Sequence, residues 1–350
     1  MSLSECIKVS YLPAAPFLLL LASASAQRIE ITSLPAYGKQ GSMGGRVSQV
    51  DSNRVSVVIF SRVKGFSIQP SCAQTTMEPD ASGLFSARIA GEATATHYLA
   101  LLVPRGFVPL CHSNEPRIPD YIEAQAIASD FRIRPQPGEK IIHWSGFEFT
   151  VREWTGGPGN CVYDKRNVRI DRGGRLHLAV RRRKGVYTCS EVVLTRSLGG
   201  YGTYRFSVES NLDALNPAVV FGAFTYASFS PHLANREIDF AEVSRWGAAN
   251  GPLYAQFVVQ PADADGNFHR FTLPHAVQPV FETVWRPDVI TFRTFSETST
   301  PRLEWSHAGS LRPLDQTVHL NLWTYQQPSK DSEIVLQKFE FDPASGGAVK

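Results

Sequence analysis

NREIDFAEVSRWG, residues 235–247, crowds three carboxylates, Glu237, Asp239 and Glu242, into a stretch that otherwise reads as a β-strand. In a regular strand, residues i, i+2 and i+4 share a face. Asn235, Glu237 and Asp239 are therefore in phase, and Glu242 is one residue out. A β-bulge at Phe240-Ala241 brings Glu242 back, because a bulge inserts one extra residue and re-aims the side chains after it. Beyond it Glu242, Ser244 and Trp246 share the acidic face, while Ile238, Phe240 and Val243 point the other way as core residues. The predicted element is a bulged strand with acids and a Trp on one side and apolar groups on the other.

Working outward, GRLHLAV (residues 174–180) alternates Leu176, Leu178 and Val180, and YGTYRFSVES (201–210) alternates Tyr204, Phe206 and Val208. DVITFRTF (288–295) and EIVLQKFEF (333–341) behave alike. Many strands separated by turns, without crossover helices, predict an all-β fold, an antiparallel sandwich or jelly roll over residues 141–345. Upstream, RVSVVIFSRV (54–63) and HYLALLVP (97–104) carry strand signals in a segment sized for a small immunoglobulin-like β-sandwich at 27–133. IRPQPGEK (133–140), rich in Pro, Gly and charge, reads as a linker, set at 134–140.

The chain has 350 residues, enough for two domains, and 43% hydrophobic content, enough for cores. A net charge of +3 gives no sign of nucleic-acid binding. LPAAPFLLLLASASA (12–26) is a short apolar run ending in small residues, so residues 1–26 read as a secretory signal. The expected protein is secreted or periplasmic, monomeric, and free of the membrane once the signal is removed. Of five cysteines, Cys6 falls in the signal. Cys72, Cys111, Cys161 and Cys189 remain, an even number that suggests two disulfides in an exported chain. Pairing within each expected domain gives Cys72–Cys111 and Cys161–Cys189. RRRK (181–184) reads as a charged hairpin tip.

Three like charges on one strand face repel, so stability alone does not select them. Repulsion suits acid/base chemistry, because a neighbouring carboxylate raises a carboxyl pKa and keeps one acid protonated near neutral pH. Glycoside hydrolysis uses such a pair, one ionised and one protonated. Four regular steps of about 3.3 Å separate the outer Cα atoms by about 13 Å. Retaining hydrolysis wants carboxyl groups about 5–5.5 Å apart, which two long Glu arms leaning inward could reach. The bland alternatives are a solvated face neutralised by Arg236 and Arg245, or a calcium site.

The acidic stretch, EIDFAE, matches the ExDxxE signature of glycoside hydrolase family 16, the laminarinase, agarase and carrageenase group. GPGNCVYDKRNVRIDRGGRLHLAV (157–180), SEVVLTRSLGGYGTYRFSVES (190–210), VVFGAFTY (219–226) and VHLNLW (318–323) resemble bacterial members in the same order, over roughly residues 140–345. The resemblance implies a concanavalin A-like jelly roll with a sugar cleft, Glu237 as nucleophile, Glu242 as general acid/base and Asp239 as their helper. It implies retaining hydrolysis of an internal β-glycosidic bond in a polysaccharide, preferably a 1,3 or mixed-linkage β-glucan. No cofactor is called for, and a structural calcium is left open. Where many members carry a Trp-rich segment, this chain reads VVFGAFTYASF, with Phe221, Phe224 and Tyr226. A glycan-binding protein without turnover and a transglycosylase are the rival expectations.

Sugar rings pack their CH faces on aromatic planes and hand their hydroxyls to polar groups. HLNLWTY alternates His319, Asn321, Trp323 and Tyr325 with Leu320, Leu322 and Thr324, so the first set is expected to wall the cleft. Trp246, in phase with Glu242, is expected as a platform. Phe224 and Tyr226 complete the expected substrate-binding set. Trp144, Trp285 and Trp305 are expected in structural roles.

Overall fold

The computed structural model describes residues 27–91, 93–227, 236–273, 278–295, 300–309 and 311–344. The expected signal segment and Asn235 lie outside the described residues. The first part holds β1 (Arg28–Ser33), β2 (Gly41–Ser48), β3 (Val55–Arg62), β4 (Phe66–Gln69), β5 (Leu84–Ile89), β6 (His97–Pro104), the short helix α1 (Asp120–Glu123) and β7 (Ala128–Ile133). Its strands form two antiparallel sheets, β1-β2-β5 and β4-β3-β6-β7. Val57 and Ile59 of β3 pack with Ile31, Met43 and Phe85 between these sheets. Val58 and Phe60 face the other way, into a second cluster with Ile122 of α1 and Leu314. Burial on both faces explains why the β3 and β6 sequences are mostly apolar instead of alternating.

The second part contains β8 (Ile141–Trp144), β9 (Phe147–Val151), β10 (Thr155–Gly156), β11 (Cys161–Tyr163), β12 (Val168–Ile170), β13 (Leu176–Arg183), β14 (Val186–Leu194), β15 (Gly202–Val208) and β16 (Val219–Tyr226). It continues with β17 (Ile238–Ser244), β18 (Tyr254–Val259), β19 (Phe268–Thr272), β20 (Val280–Trp285), β21 (Val289–Phe295), β22 (Leu303–Ala308), β23 (Thr317–Thr324) and β24 (Ser332–Pro343). One antiparallel layer runs β8-β9-β14-β23-β16-β17-β18-β19. The other runs β12-β13-β24-β15-β20-β21-β22. The β13–β14 hairpin links the layers, and β11 lies parallel to β14. This is an all-β jelly-roll sandwich.

Aromatic rings fill the space between the layers. Phe240 of β17 stacks on Tyr204 of β15 with centroids 4.8 Å apart, and Phe257 of β18 stacks on Phe292 of β21 at 5.0 Å. Tyr204, Phe206 and Val208 are buried here, as their alternation predicts. Trp144 and Trp285 are buried in the same core, and Trp305 packs against it. RRRK ends at the tip of the β13–β14 hairpin, where Lys184 and Gly185 take φ of 49° and 84°. The two positive values suit a two-residue hairpin turn.

Disulfides join Cys72 to Cys111 and Cys161 to Cys189. The two parts also meet. Ser197 and Phe131 exchange hydrogen bonds, Ser197 N to Phe131 O at 2.8 Å and Phe131 N to Ser197 Oγ at 2.9 Å. Arg134, at the start of the expected linker, is buried and donates to the carbonyls of Pro35, Ala93 and Ala95. Among the described residues, no helix is long and apolar enough to cross a membrane.

Candidate functional site

The bulge in β17 falls where the spacing of the acids requires it. Asp239 pairs with Val258 and Glu242 with Gln256, so the two residues Phe240 and Ala241 stand opposite one residue of β18. On the other side Ala223 pairs with Ala241 and Phe224 with Asp239, which again skips Phe240. Ile238, Phe240 and Val243 are buried in the inter-layer core. Asp239 and Glu242 therefore emerge on the opposite face. Ser244 is pinned by its Oγ, which donates to Val219 O at 2.9 Å. The same Oγ accepts from Trp246 N at 2.9 Å, and Trp246 sits at φ 50° just past the strand.

Register lines up a polar row across this face. Glu191 pairs with Asn321, Asn321 with Gly222, Gly222 with Glu242, Glu242 with Gln256 and Gln256 with Arg270. Gly222 in the middle leaves room for Asn321, since a Cβ there would lie 2.5 Å from Asn321 Oδ1 and the amide would have to shift. Gln256 Nε2 donates to Glu242 Oε2 at 2.6 Å. Gln260 Nε2 donates to Asp239 Oδ2 at 3.3 Å, and Gln260 N donates to Glu237 O at 3.0 Å.

Burial raises all three acids above the usual carboxylate range. Glu237 is pushed up to about 7, mainly by burial, with the charges of Glu242 and Glu191 adding to it. Asp239 is driven well up by burial and by the charges of Glu237 and Glu242. The hydrogen bond between Asp239 and Glu237 lowers Glu237 and raises Asp239. Two carboxyls that share a hydrogen bond hold at least one proton between them. Glu242 is also raised by burial, offset by the Gln256 hydrogen bond and the charge of Arg270. Neither nearby arginine neutralises the trio. Arg236 pairs with Glu123 at 2.6 Å, and Arg245 pairs with Asp213 at 3.4 Å.

The aromatic and polar candidates divide into two groups. His319 stacks on Phe224 at 5.1 Å and meets Tyr226 edge-on at 5.8 Å. Trp246 meets Trp323 at 6.4 Å and Tyr325 at 5.4 Å, both edge-on. His319, Asn321 and Trp323 are buried, whereas Tyr325, past the end of β23, is 53% exposed. Asn321 Oδ1 and Trp246 Nε1 are buried without a hydrogen-bond partner among the described residues.

A buried ionic chain was not foreseen from the sequence. Glu191 accepts from Arg152 Nη1 at 2.8 Å and contacts His319 Nδ1 at 2.9 Å. Burial pushes Glu191 up, but His319 and Arg152 together hold it below its ordinary value. Its one sequence signal is an acid inside VYTCSEVVL, a strand that is otherwise mostly apolar. Gln256 and Arg270 were missed as well; Gln256 stands between Ala255 and Phe257 in YAQFVV, and Arg270 between His269 and Phe271 in FHRFT.

No protein-family profile matches the sequence, and no curated protein is similar to it at a significant level. Several solved structures are similar. A family 16 glycoside hydrolase of the Bacteroides ovatus mixed-linkage glucan PUL, in complex with a G4G4G3G product, is 11% identical; the match covers 55% of this chain and 94% of that one, with a TM-score of 0.42. An immunostimulatory antigen and pseudo β-1,3-glucanase of Mycobacterium tuberculosis is 17% identical over 60% of this chain and 93% of that one, with a TM-score of 0.43. A β-1,3-glucanase from Mycobacterium marinum is 14% identical over 58% and 90%, with a TM-score of 0.42.

Proposed function

We propose that the chain is a secreted, retaining endo-β-glycosidase acting on a 1,3 or mixed-linkage β-glucan or a related polysaccharide. The observation that carries this reading is the bulge in β17, which turns Asp239 and Glu242 to one face beside Glu237. In the proposed reaction Glu237 attacks the anomeric carbon while Glu242 protonates the leaving oxygen. A glycosyl ester on Glu237 results. Glu242, now ionised, takes a proton from water, which attacks the same carbon and frees Glu237. Asp239 supports the first step by donating to Glu237, which favours the ionised nucleophile despite its burial. Two carboxylates and water balance the reaction without a cofactor.

Trp246 and Tyr325 would stack sugar rings on one side of the acids, and Phe224 and Tyr226 on the other. Trp323 and His319 hold these rings from behind. The preference for β-glucan rests on the family resemblance in the sequence. Export is supported by the two disulfides. In this reading residues 27–133 form an appended immunoglobulin-like module, and 134–140 join it to the catalytic domain at 141–345. Binding without turnover is the rival, favoured by VVFGAFTYASF standing where many family members have a Trp-rich segment.

The test is release of reducing ends from laminarin, mixed-linkage glucan, agarose and carrageenan, with Glu237→Gln as the blank. Release that vanishes in the variant is expected. Binding to a glycan without release would favour the rival.

A further inference from the structure

Arg270 lies two strands from Glu242 and reaches it through one side chain. Its Nε and Nη2 both donate to Gln256 Oε1, at 3.0 and 2.6 Å. Gln256 Nε2 donates in turn to Glu242 Oε2 at 2.6 Å. Gln256 is 6% exposed, so its amide is shielded from competing water. Arginine carries only donors, so the amide oxygen must face it and the amide NH2 must face the acid. Flipping the amide would set donor against donor at Arg270 and acceptor against acceptor at Glu242. The guanidinium is itself held in place by aromatic faces, with its carbon 5.4 Å from the Trp246 centroid, 5.6 Å from Tyr254 and 5.3 Å from Phe268.

We propose that Arg270 is a positioning residue for the acid/base Glu242: by locking the Gln256 amide it makes Oε2 the permanent acceptor and confines the mobile proton to Oε1. The inference rests on the assignment of Glu242 as the proton donor. An acid that must deliver a proton to one oxygen of a bound glycan gains from carrying it on one oxygen only. Without the lock, nothing fixes Oε2 as the acceptor and the proton is free to sit on either oxygen. The ionisable groups around Glu242 are few among the described residues. Glu237 and Asp239 lie on its own side of the sheet and couple to it electrostatically, Gln256 and then Arg270 stand on the β18–β19 side, and β16 opposes it with Gly222. Arg270 and Gln256 both favour the ionised form of Glu242.

The test is a carbon-13 titration of the full chain labelled at glutamate Cδ, with the Glu242 signal identified by its loss in Glu242→Gln. Wild type, Arg270→Met, Gln256→Met and the double variant are compared. Arg270→Met should raise the Glu242 midpoint by about one pH unit. With Gln256 already replaced, the same substitution should move it by less, because only the direct charge of Arg270 is then lost. Where turnover is measurable, the alkaline limb of the kcat profile should move up with the midpoint, because the acid must be protonated. An unchanged midpoint in Arg270→Met, or an effect of equal size with and without Gln256, would overturn the proposal. The titration needs no substrate, so it stands apart from the question of whether any glycan is cleaved.

Discussion

Asp239 and Glu242 are three residues apart on their own strand but face partners only two apart, Val258 and Gln256. That one-residue discrepancy puts an acid that would otherwise enter the core onto the face that already carries the others. The core keeps Phe240, stacked between Tyr204 and Phe206. The same local irregularity therefore serves packing on one face and chemistry on the other.

Glu237→Gln and Glu242→Gln should each lower turnover by about 10²–10⁴-fold or more while leaving the fold intact. Asp239→Ala should act differently. It removes the donor that favours ionised Glu237, so the acidic limb of the rate profile should move to higher pH. Steady-state rates against pH, with circular dichroism as the fold control, check both. Full activity in Glu242→Gln on an unactivated polysaccharide would contradict the assigned roles.

Glu191→Ala should be costly even though Glu191 is not assigned to bond breaking. Its loss leaves Arg152 and His319 buried without their shared carboxylate, and breaking a buried ion pair costs about 3–5 kcal/mol. It also removes a charge that raises Glu237. Urea denaturation should show the first effect, and a lower Glu237 midpoint the second.

Gly222→Ala tests the polar row. The added methyl would stand 2.5 Å from Asn321 Oδ1, and Asn321 would have to swing away. Overpacking of this kind costs about 1–3 kcal/mol. A melting temperature equal to wild type would mean that the row is looser than its register indicates.

Glu123→Gln tests the junction between the two parts. Glu123 on α1 pairs with Arg236, the residue before Glu237, and burial is the main cause that raises it to about 7. A carboxyl raised in the fold binds its proton more tightly folded than unfolded. Its stabilising contribution is full below the ordinary carboxylate pKa and is lost as pH rises through about 7. Wild type should therefore lose more stability than Glu123→Gln between those limits, by roughly 2–3 kcal/mol. Parallel stability curves for the two proteins would contradict this.

The sequence was most informative where a feature lies within one strand. A period of two, broken once, was enough to place the bulge at Phe240-Ala241, because every residue involved is a neighbour in the chain. It said little about partners brought in by pairing. Glu191 meets Arg152 and His319 across separations of 39 and 128 residues, and an isolated acid in an apolar strand does not reveal which cations will cover it. Arg270 and Gln256 were hidden for the same reason. Arg236 and Arg245 looked like neutralising partners because they flank the acids in sequence, yet each turns to another acid. In HLNLWTY the strand ends at Thr324, and Tyr325 stands exposed just beyond it, edge-on to Trp246.

The most direct measurement of the central claim is capture of the glycosyl-enzyme. The protein would be incubated with a 2-deoxy-2-fluoro-β-glucoside oligomer bearing a dinitrophenolate leaving group, then digested and mapped by mass spectrometry. The account predicts one added 2-fluoro-oligosaccharide per chain, with dinitrophenolate released, on the peptide containing Glu237 and at that residue. An adduct at Glu242, or none from a protein that hydrolyses the parent glycan, would contradict it.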